Sequence, residues 1–385
     1  MIRGRVFGLD LLRALAVLLV LVGHATFMFL PVTHTLDAWW VFGQFGVELF
    51  FVLSGFLIGA ILADQAAADD LPLGRFWARR WLRTLPNYYL FLLINVLLER
   101  WVDGVWPQAW SYLIFSQNLA WPQAMFFSES WSLAVEEIFY LVAPLLVLAA
   151  LRTRLRRVDP VWLIVAAIAA FTLVRIVYVA QLDPPWDSGV RKVTLVRLDA
   201  IAYGALALVL YRRGGVVVRR AGTIALAGLC AVSIAGACYL LLPRDTSYFA
   251  RTLLFNLLSL GFAALLPFAA EWKRSGCPAI VENAIRKIAL WSYALYLCQL
   301  AVMRVLVSIL GWNGQSAAMC LLQAIAYCLL AIACAALVYY AFESPLLRLR
   351  DRWTTRRLPA ARVEHLEGAH AVAAAHEAAV AASES

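Results

Sequence analysis

Residues 9–24 read Leu-Asp-Leu-Leu-Arg-Ala-Leu-Ala-Val-Leu-Leu-Val-Leu-Val-Gly-His, a segment apolar enough to enter a bilayer. It nevertheless carries three ionisable side chains, those of Asp10, Arg13 and His24. At about 100° per residue the three share one helical face, and a rise of ~1.5 Å per residue places His24 about 16 Å deeper than Arg13. Because ionisable groups inside a membrane are costly and usually functional, this face predicts chemistry within the bilayer.

The composition is that of a membrane protein. Hydrophobic residues make up 63% of the 385 residues and charged residues only 15%, a balance that a soluble domain with a polar surface would not tolerate. The net charge of +9 could suggest a nucleic-acid partner, but the cations are confined to particular loops. We therefore predict no nucleic-acid partner and assign the cations to membrane topology.

Ten apolar segments have the length of a membrane span. They cover residues 9–30, 41–62, 85–102, 131–151, 160–180, 193–211, 221–242, 252–271, 288–310 and 316–342. The connecting loops alternate between arginine-rich and aromatic-rich, and by the positive-inside rule the arginine-rich side is cytoplasmic. The sequence thus predicts an all-α polytopic membrane protein with about ten transmembrane helices and both termini in the cytoplasm. Residues 1–350 form the predicted transmembrane domain, and residues 351–385 an Ala-rich cytoplasmic tail that is disordered or loosely helical.

His24 is the strongest candidate for a general base, because an imidazole can accept a proton near neutral pH. The alternative is a histidine that only hydrogen-bonds neighbouring helices. The presence of Arg13 and Asp10 on the same face favours the catalytic interpretation.

The second span places Glu48, Gly55 and Gly59 on one helical face. Small residues in membrane helices most often permit close packing. In a functional interpretation the glycines, next to Ser54, leave room for a thin ligand chain beside the backbone. The sequence leaves both interpretations open.

Two further polar groups flank the spans. Arg80 and Arg83 are one helical turn apart, a spacing at which two guanidinium groups can hold one diphosphate, although positive-inside anchoring alone would also produce them. Ser132, Glu136 and Tyr140 follow Trp131 as a polar stripe on one face of the fourth span. The carboxylate could orient the His24 imidazole or bind an incoming hydroxyl, or it could form a structural pair with an arginine such as Arg175 or Arg197.

Taken in order, these motifs resemble the integral-membrane acyltransferase family three, which O-acylates bacterial surface polysaccharides and related acceptors. The resemblance is carried by Asp10-Leu-Leu-Arg-Ala14 followed by His24, by Gly46-Val-Glu-Leu-Phe-Phe-Val-Leu-Ser-Gly55, by Arg80-Trp-Leu-Arg83, by Trp131-Ser-Leu-Ala-Val-Glu-Glu-Ile-Phe-Tyr140, by Ser292-Tyr-Ala-Leu-Tyr-Leu297 and by Phe342-Glu-Ser-Pro345. All six motifs occur in this order across nearly all of residues 1–350.

The resemblance implies an acyl-CoA donor that enters from the cytoplasmic side and an acceptor hydroxyl that arrives from the lipid or the outer side. It gives His24 the catalytic position, makes Arg13 its paired arginine, and ties Arg80 and Arg83 to the donor's phosphates. The chain departs from the family at Gln299, where many members have a histidine. A mechanism that needs a second intramembrane histidine is therefore disfavoured.

The sequence accordingly predicts a membrane O-acyltransferase that moves an acyl group, with acetyl favoured, from acyl-CoA to a sugar hydroxyl of a cell-surface or exported glycan. The predicted catalytic residues are His24 and Glu136; the predicted donor-binding residues are Arg13, Arg80, Arg83, Ser54 and Gly55; the predicted acceptor or supporting residues are Asp10, Glu48, Trp131, Ser132 and Tyr140. Direct transfer and an acyl-histidine route both remain open.

The remaining predictions concern partners and location. The sequence has no cluster with metal-ligand spacing, so we predict no metal and no permanently bound cofactor, with acetyl-CoA acting as a substrate. The predicted location is the bacterial inner membrane, with membrane lipids and a free or lipid-linked glycan as partners. The alternative function is a transporter or flippase for the glycan, which the missing inverted repeats disfavour.

Overall fold

The computed structural model describes residues 6–30, 32, 39–68, 71–273, 276–311 and 316–355, which contain ten long helices and no strand. In chain order these are α1 (Phe7–Ala25), α2 (Val41–Ala67), α3 (Leu73–Val102), α4 (Ser130–Arg152), α5 (Pro160–Leu182), α6 (Asp199–Arg212), α7 (Ala221–Leu241), α8 (Leu253–Glu271), α9 (Ala279–Leu310) and α10 (Ala317–Val338). A π-helical turn, Tyr339–Glu343, connects α10 to the shorter helix α11 (Ser344–Thr355).

Among the described residues, nine helical segments are long and apolar enough to cross a membrane. The exception is α3, whose first half carries four arginines, and it begins at Leu73 rather than at residue 85. The prediction of an all-α polytopic membrane protein is confirmed. Residues 1–5 and 356–385 lie outside the described part, so the cytoplasmic termini and the state of the tail stay predictions.

Helix α1 lies at the centre of the bundle, where α2, α8, α9 and α10 pack against it. Glycines permit the closest approaches. A Cβ placed on Gly46 of α2 would overlap the carbonyl oxygen of Ala16 in α1. The central position of α1 surrounds His24 and Arg13 with side chains from several other helices.

Helices α2 and α6 approach each other through a reciprocal pair of glycines. A Cβ on Gly55 would overlap the carbonyl oxygen of Ile201, and a Cβ on Gly204 would overlap that of Val52. This geometry supports the packing interpretation of the α2 glycines, since the space beside Gly55 is filled by α6.

We expect Gly204→Ala to lower the free energy of unfolding by about 1–3 kcal/mol, because the added methyl group forces α2 and α6 apart. Thermal or denaturant unfolding of the detergent-purified protein measures the change. Gly222→Ala is the matched control, since no heavy atom lies within 4 Å of a Cβ placed on Gly222. Equal stability of the two variants would contradict the proposed packing.

Two buried charge pairs connect helices inside the bundle. Glu48 of α2 forms an ion pair with Arg197 and accepts a hydrogen bond from the Ser259 hydroxyl. Arg175 of α5 pairs with Asp199 at 2.8 Å. All of these side chains are buried, and unpaired charges there would be costly. The two arginines considered as partners for Glu136 are therefore bound to other carboxylates.

The stretch between α3 and α4 folds into a cap that includes the helical turn Trp110–Leu113. Tyr112 is buried there; its hydroxyl donates to the Ala124 carbonyl at 2.7 Å, and the Tyr88 hydroxyl donates to the Tyr112 carbonyl at 2.8 Å. Asn118 donates its amide to the Trp131 carbonyl at 3.0 Å. These bonds tie the cap to the start of α4.

Candidate functional site

A cavity of about 150 Å³ lies between α2, α3, α4 and α9. Its lining includes Arg13, Ser54, Arg80, Arg83, Ser132, Glu136, Ser292, Tyr293 and Tyr296, and we call it the arginine cavity. Half of the predicted site residues line it, although they come from four different helices. The structure thus brings together the arginines of the first and third spans.

Arg80 is held in place on one side of the arginine cavity. Its guanidinium donates to the Tyr140 hydroxyl, lies 3.9 Å from the centroid of the Tyr140 ring, and forms an ion pair with Glu136 at 3.6 Å. The Tyr140 hydroxyl also hydrogen-bonds Ser54. Tyr140, which we had predicted on the acceptor side, therefore lies against the arginine predicted to bind the donor.

Arg83 lies one helical turn after Arg80 and is exposed at the mouth of the cavity. Arg13 contributes a third guanidinium from α1. Among the described lining residues, Glu136 is the only carboxylate, so the cavity carries excess positive charge. Guanidinium groups bind phosphate oxygens through paired, charge-assisted hydrogen bonds, which makes the cavity suited to a phosphorylated ligand.

His24 makes a specific hydrogen bond at the far end of α1. Its Nδ1 lies 2.8 Å from Oε1 of Gln299 in α9, and the Tyr327 hydroxyl of α10 donates to the same oxygen at 2.8 Å. With Gln299 Oε1 as the acceptor of both bonds, Nδ1 carries the proton and Nε2 keeps its lone pair. This is the tautomer that a general base acting through Nε2 requires.

Gln299 is the functional candidate that the sequence analysis missed. We had interpreted it only as the loss of a second histidine, whereas the structure places it as the hydrogen-bond partner of His24. The sequence signal that could have identified Gln299 was its position two residues after the Ser292–Leu297 motif. In the structure its side chain is buried within the bundle.

Along α9, Gln299 lies between residues that line two cavities, although neither His24 nor Gln299 is itself a lining residue. One turn before Gln299, Tyr296 lines the arginine cavity, and its hydroxyl bonds that of Ser132 at 2.6 Å. Directly after Gln299, Leu300 lines a second cavity of about 380 Å³. The other lining residues of this acidic cavity are Asn95, Glu99, Asp103, Met125, Phe126, Ser128, Glu129 and Arg304.

Glu129 is the most unusual group of the acidic cavity. It precedes α4 and is buried, and burial raises the pKa of its carboxyl to about 8. Its Oε1 has no hydrogen-bond partner among the described residues. A largely protonated carboxyl at neutral pH, with a buried oxygen left to pair, suits the recognition of a hydroxyl group.

Six predicted site residues line neither cavity: His24, Tyr140, Asp10, Glu48, Gly55 and Trp131. Asp10 is buried and forms an ion pair with Arg286 at 3.5 Å. The Trp131 ring packs edge-on against Phe51, with a centroid distance of 5.8 Å. Together with the Glu48 ion pair and the Gly55 packing, these contacts hold helices together, and the binding roles of these residues stay predictions.

The fold and the site define a polytopic membrane protein with a half-buried, hydrogen-bonded histidine in its first helix and an arginine-lined cavity. A family model described as an acyltransferase domain matches residues 6–340. The match covers nearly the whole chain, so the protein belongs to this acyltransferase family, and the resemblance found in its motifs is confirmed.

Several curated relatives match part of the chain. It is 31% identical over 169 residues to the peptidoglycan O-acetyltransferase OatA of Listeria monocytogenes, covering 39% of this chain and 25% of the relative. It is 33% identical over 160 residues to the O-acetyltransferase OatA of Staphylococcus aureus, covering 36% of this chain and 24% of the relative. The chain thus spans about a quarter of the length of these relatives. No solved structure matches it.

Proposed function

We propose that this protein transfers an acetyl group from acetyl-CoA to a sugar hydroxyl of a cell-surface or exported glycan at the bacterial inner membrane. Family membership and the O-acetyltransferase names of the relatives support the reaction class. The observation that carries the proposal is the hydrogen bond that joins His24 Nδ1 to Gln299 of α9, the helix that contributes lining residues to both the arginine cavity and the acidic cavity.

In this proposal the arginine cavity binds the donor. Arg83 and Arg13 contact the phosphates of the coenzyme, and Arg80, oriented by Tyr140 and Glu136, completes the site. The thioester extends towards His24 once the Tyr296 side chain turns aside from Ser132. Glu136, predicted as catalytic, acts here by orienting Arg80.

The acidic cavity binds the acceptor. Glu99 and Asp103 form ion pairs with Arg304, and their remaining lone pairs, together with Asn95, offer hydrogen bonds to sugar hydroxyls. Phe126 offers an apolar face. Glu129 adds a buried carboxyl. It lies three residues before Ser132, whose hydroxyl bonds that of Tyr296. The acceptor thereby approaches His24 from the side opposite to the donor.

His24 supplies the proton transfer. Its Nε2 removes the proton of the acceptor hydroxyl while the hydroxyl oxygen attacks the thioester carbonyl; the new C–O ester bond forms, the C–S bond breaks, and the imidazolium returns its proton to the departing thiolate. General-base catalysis of this kind contributes about 10²–10⁴-fold. An acyl-histidine formed at the same nitrogen is the second possible route.

Membrane vesicles that contain the protein, supplied with acetyl-CoA labelled in the acetyl group, test the proposal. We expect label to enter alkali-labile esters of a glycan, and no incorporation in vesicles without the protein. Movement of a separately labelled glycan across the vesicle membrane, with no transfer of the acetyl label, would instead support the transporter alternative.

Removal of the Gln299 hydrogen bond should impair catalysis more than donor binding. We expect Gln299→Leu to lower kcat about tenfold, because the imidazole loses the partner that selects its tautomer. A tenfold change corresponds to about 1.4 kcal/mol, the contribution of one hydrogen bond. The KM for acetyl-CoA should change little. Gln299→His retains an acceptor for Nδ1 and should recover much of the rate; equal losses in both variants would argue against a positioning role.

A further inference from the structure

A third space, larger than the arginine cavity and the acidic cavity, lies away from the proposed active site. This apolar groove, of about 610 Å³, is bounded by α2, α4, α5 and α6. It is separated from the arginine cavity by α2, which presents Ile58 to the arginine cavity and Gly59 to the groove. No step of the proposed acyl transfer uses this space.

The walls of the groove are apolar along the helix axes. Small side chains such as Ala143, Ala167 and Ala205 leave the space between the helices open, and Phe139 and Phe171 lie at one end. The lining of α5 runs from residue 160 to residue 171, eleven steps of ~1.5 Å or about 17 Å. This length is close to the hydrocarbon thickness of one leaflet, about 15 Å.

The groove is also accessible from the membrane. Helix α5, which forms one wall, is peripheral, because only 17% of an 18-residue apolar stretch of this helix is buried inside the protein. A molecule in the groove could therefore exchange with the surrounding bilayer through the gap beside α5.

All of the charge in the groove lies at the other end. Arg156, Arg212 and Arg213 line that end. Arg212 pairs with Asp64 at 2.7 Å and Arg213 pairs with Asp159, whereas no described carboxylate pairs with Arg156. Three guanidinium groups against two carboxylates leave net positive charge where the headgroup of a membrane lipid would lie.

We propose that the groove binds an anionic glycerophospholipid of the bilayer. One acyl chain lies along α5, and the phosphate lies beside Arg156 with Arg212 and Arg213 behind it. The net positive charge selects against zwitterionic lipids, since each arginine near an anionic headgroup contributes roughly 1 kcal/mol, which is about fivefold in affinity. The proposal is independent of acyl transfer.

Native mass spectrometry of the full chain in detergent, after addition of dioleoylphosphatidylglycerol or dioleoylphosphatidylcholine, tests it. We expect the wild-type protein to retain phosphatidylglycerol at least about fivefold better than phosphatidylcholine. Ala167→Phe, which fills the groove, and Arg156→Gln, which removes the headgroup contact, should each reduce the phosphatidylglycerol adduct by about fivefold or more.

Each variant has a matched control one residue away. Ala166 and Arg157 are exposed and lie outside the groove, so Ala166→Phe and Arg157→Gln should retain the adduct. Thermal unfolding checks that each of the four variants folds. If Ala167→Phe does not fold, the variants of the exposed arginines still test the proposal. Equal retention of both lipids, equal loss in test and control variants, or binding of a polyprenyl phosphate in place of phosphatidylglycerol would overturn the proposal.

Discussion

The His24→Ala variant is expected to lose about 10²–10⁴-fold of its acetyl-transfer rate. In our proposal the free Nε2 accepts the proton of the acceptor hydroxyl, and the described residues that contact the imidazole, such as Gln299, offer no second base. Incorporation of labelled acetyl groups into glycan esters, measured in vesicles with equal amounts of folded protein, gives the rate.

The control for His24→Ala lies two residues away on the same helix. Val22 is 58% exposed and faces away from the bundle, so Val22→Ala should leave the rate unchanged. Binding of acetyl-CoA should survive in both variants, because the arginines that hold the donor are elsewhere. A His24→Ala protein that folds and acetylates at the full rate would refute the proposed mechanism.

The Arg83→Ala variant is expected to bind coenzyme A about ten- to a hundredfold more weakly. A hydrogen bond to a charged group contributes about 1.5–3 kcal/mol, and Arg83 is exposed at the mouth of a cavity that Arg13 and Arg80 also line. Calorimetric titration of the purified protein with coenzyme A measures the Kd, and added salt should narrow the difference from wild type.

Arg79 provides the control on the same helix. It is exposed and lies outside the arginine cavity, yet it belongs to the same cluster of positive charge. If Arg79→Ala weakens coenzyme A binding as much as Arg83→Ala does, the effect comes from overall charge and the cavity is not the donor site. Arg80→Ala is less informative, because it also breaks the contacts to Tyr140 and Glu136.

Much of the fold could be predicted from hydropathy. A bilayer requires about 20 apolar residues per span and internal backbone hydrogen bonds, so long apolar segments identify membrane helices directly. The prediction was wrong about where the third helix begins, because four arginines make its first turns polar. Those turns are helical nonetheless, since residues such as Phe76 are buried against the rest of the bundle.

The candidate site was predictable in part. Arg13, Arg80, Arg83, Ser54, Ser132 and Glu136 were predicted as site residues and line one cavity. Glu48 and Gly55 were assigned from the shared face of α2, but a face does not reveal which helix packs against it. The structure supplies those neighbours, Arg197 and Ile201, and with them structural roles.

The apolar segments and the ionisable groups within them thus determined, from the sequence alone, that this is a helical membrane protein with a histidine and an arginine at different depths of the first span. Local periodicity is sufficient for that, because a bilayer constrains each helix separately. Only the tertiary structure decided that Gln299 holds His24, that Tyr140 lies beside Arg80, and that an apolar groove ends at Arg156. These are contacts between helices distant in sequence, and they depend on packing that no single segment encodes.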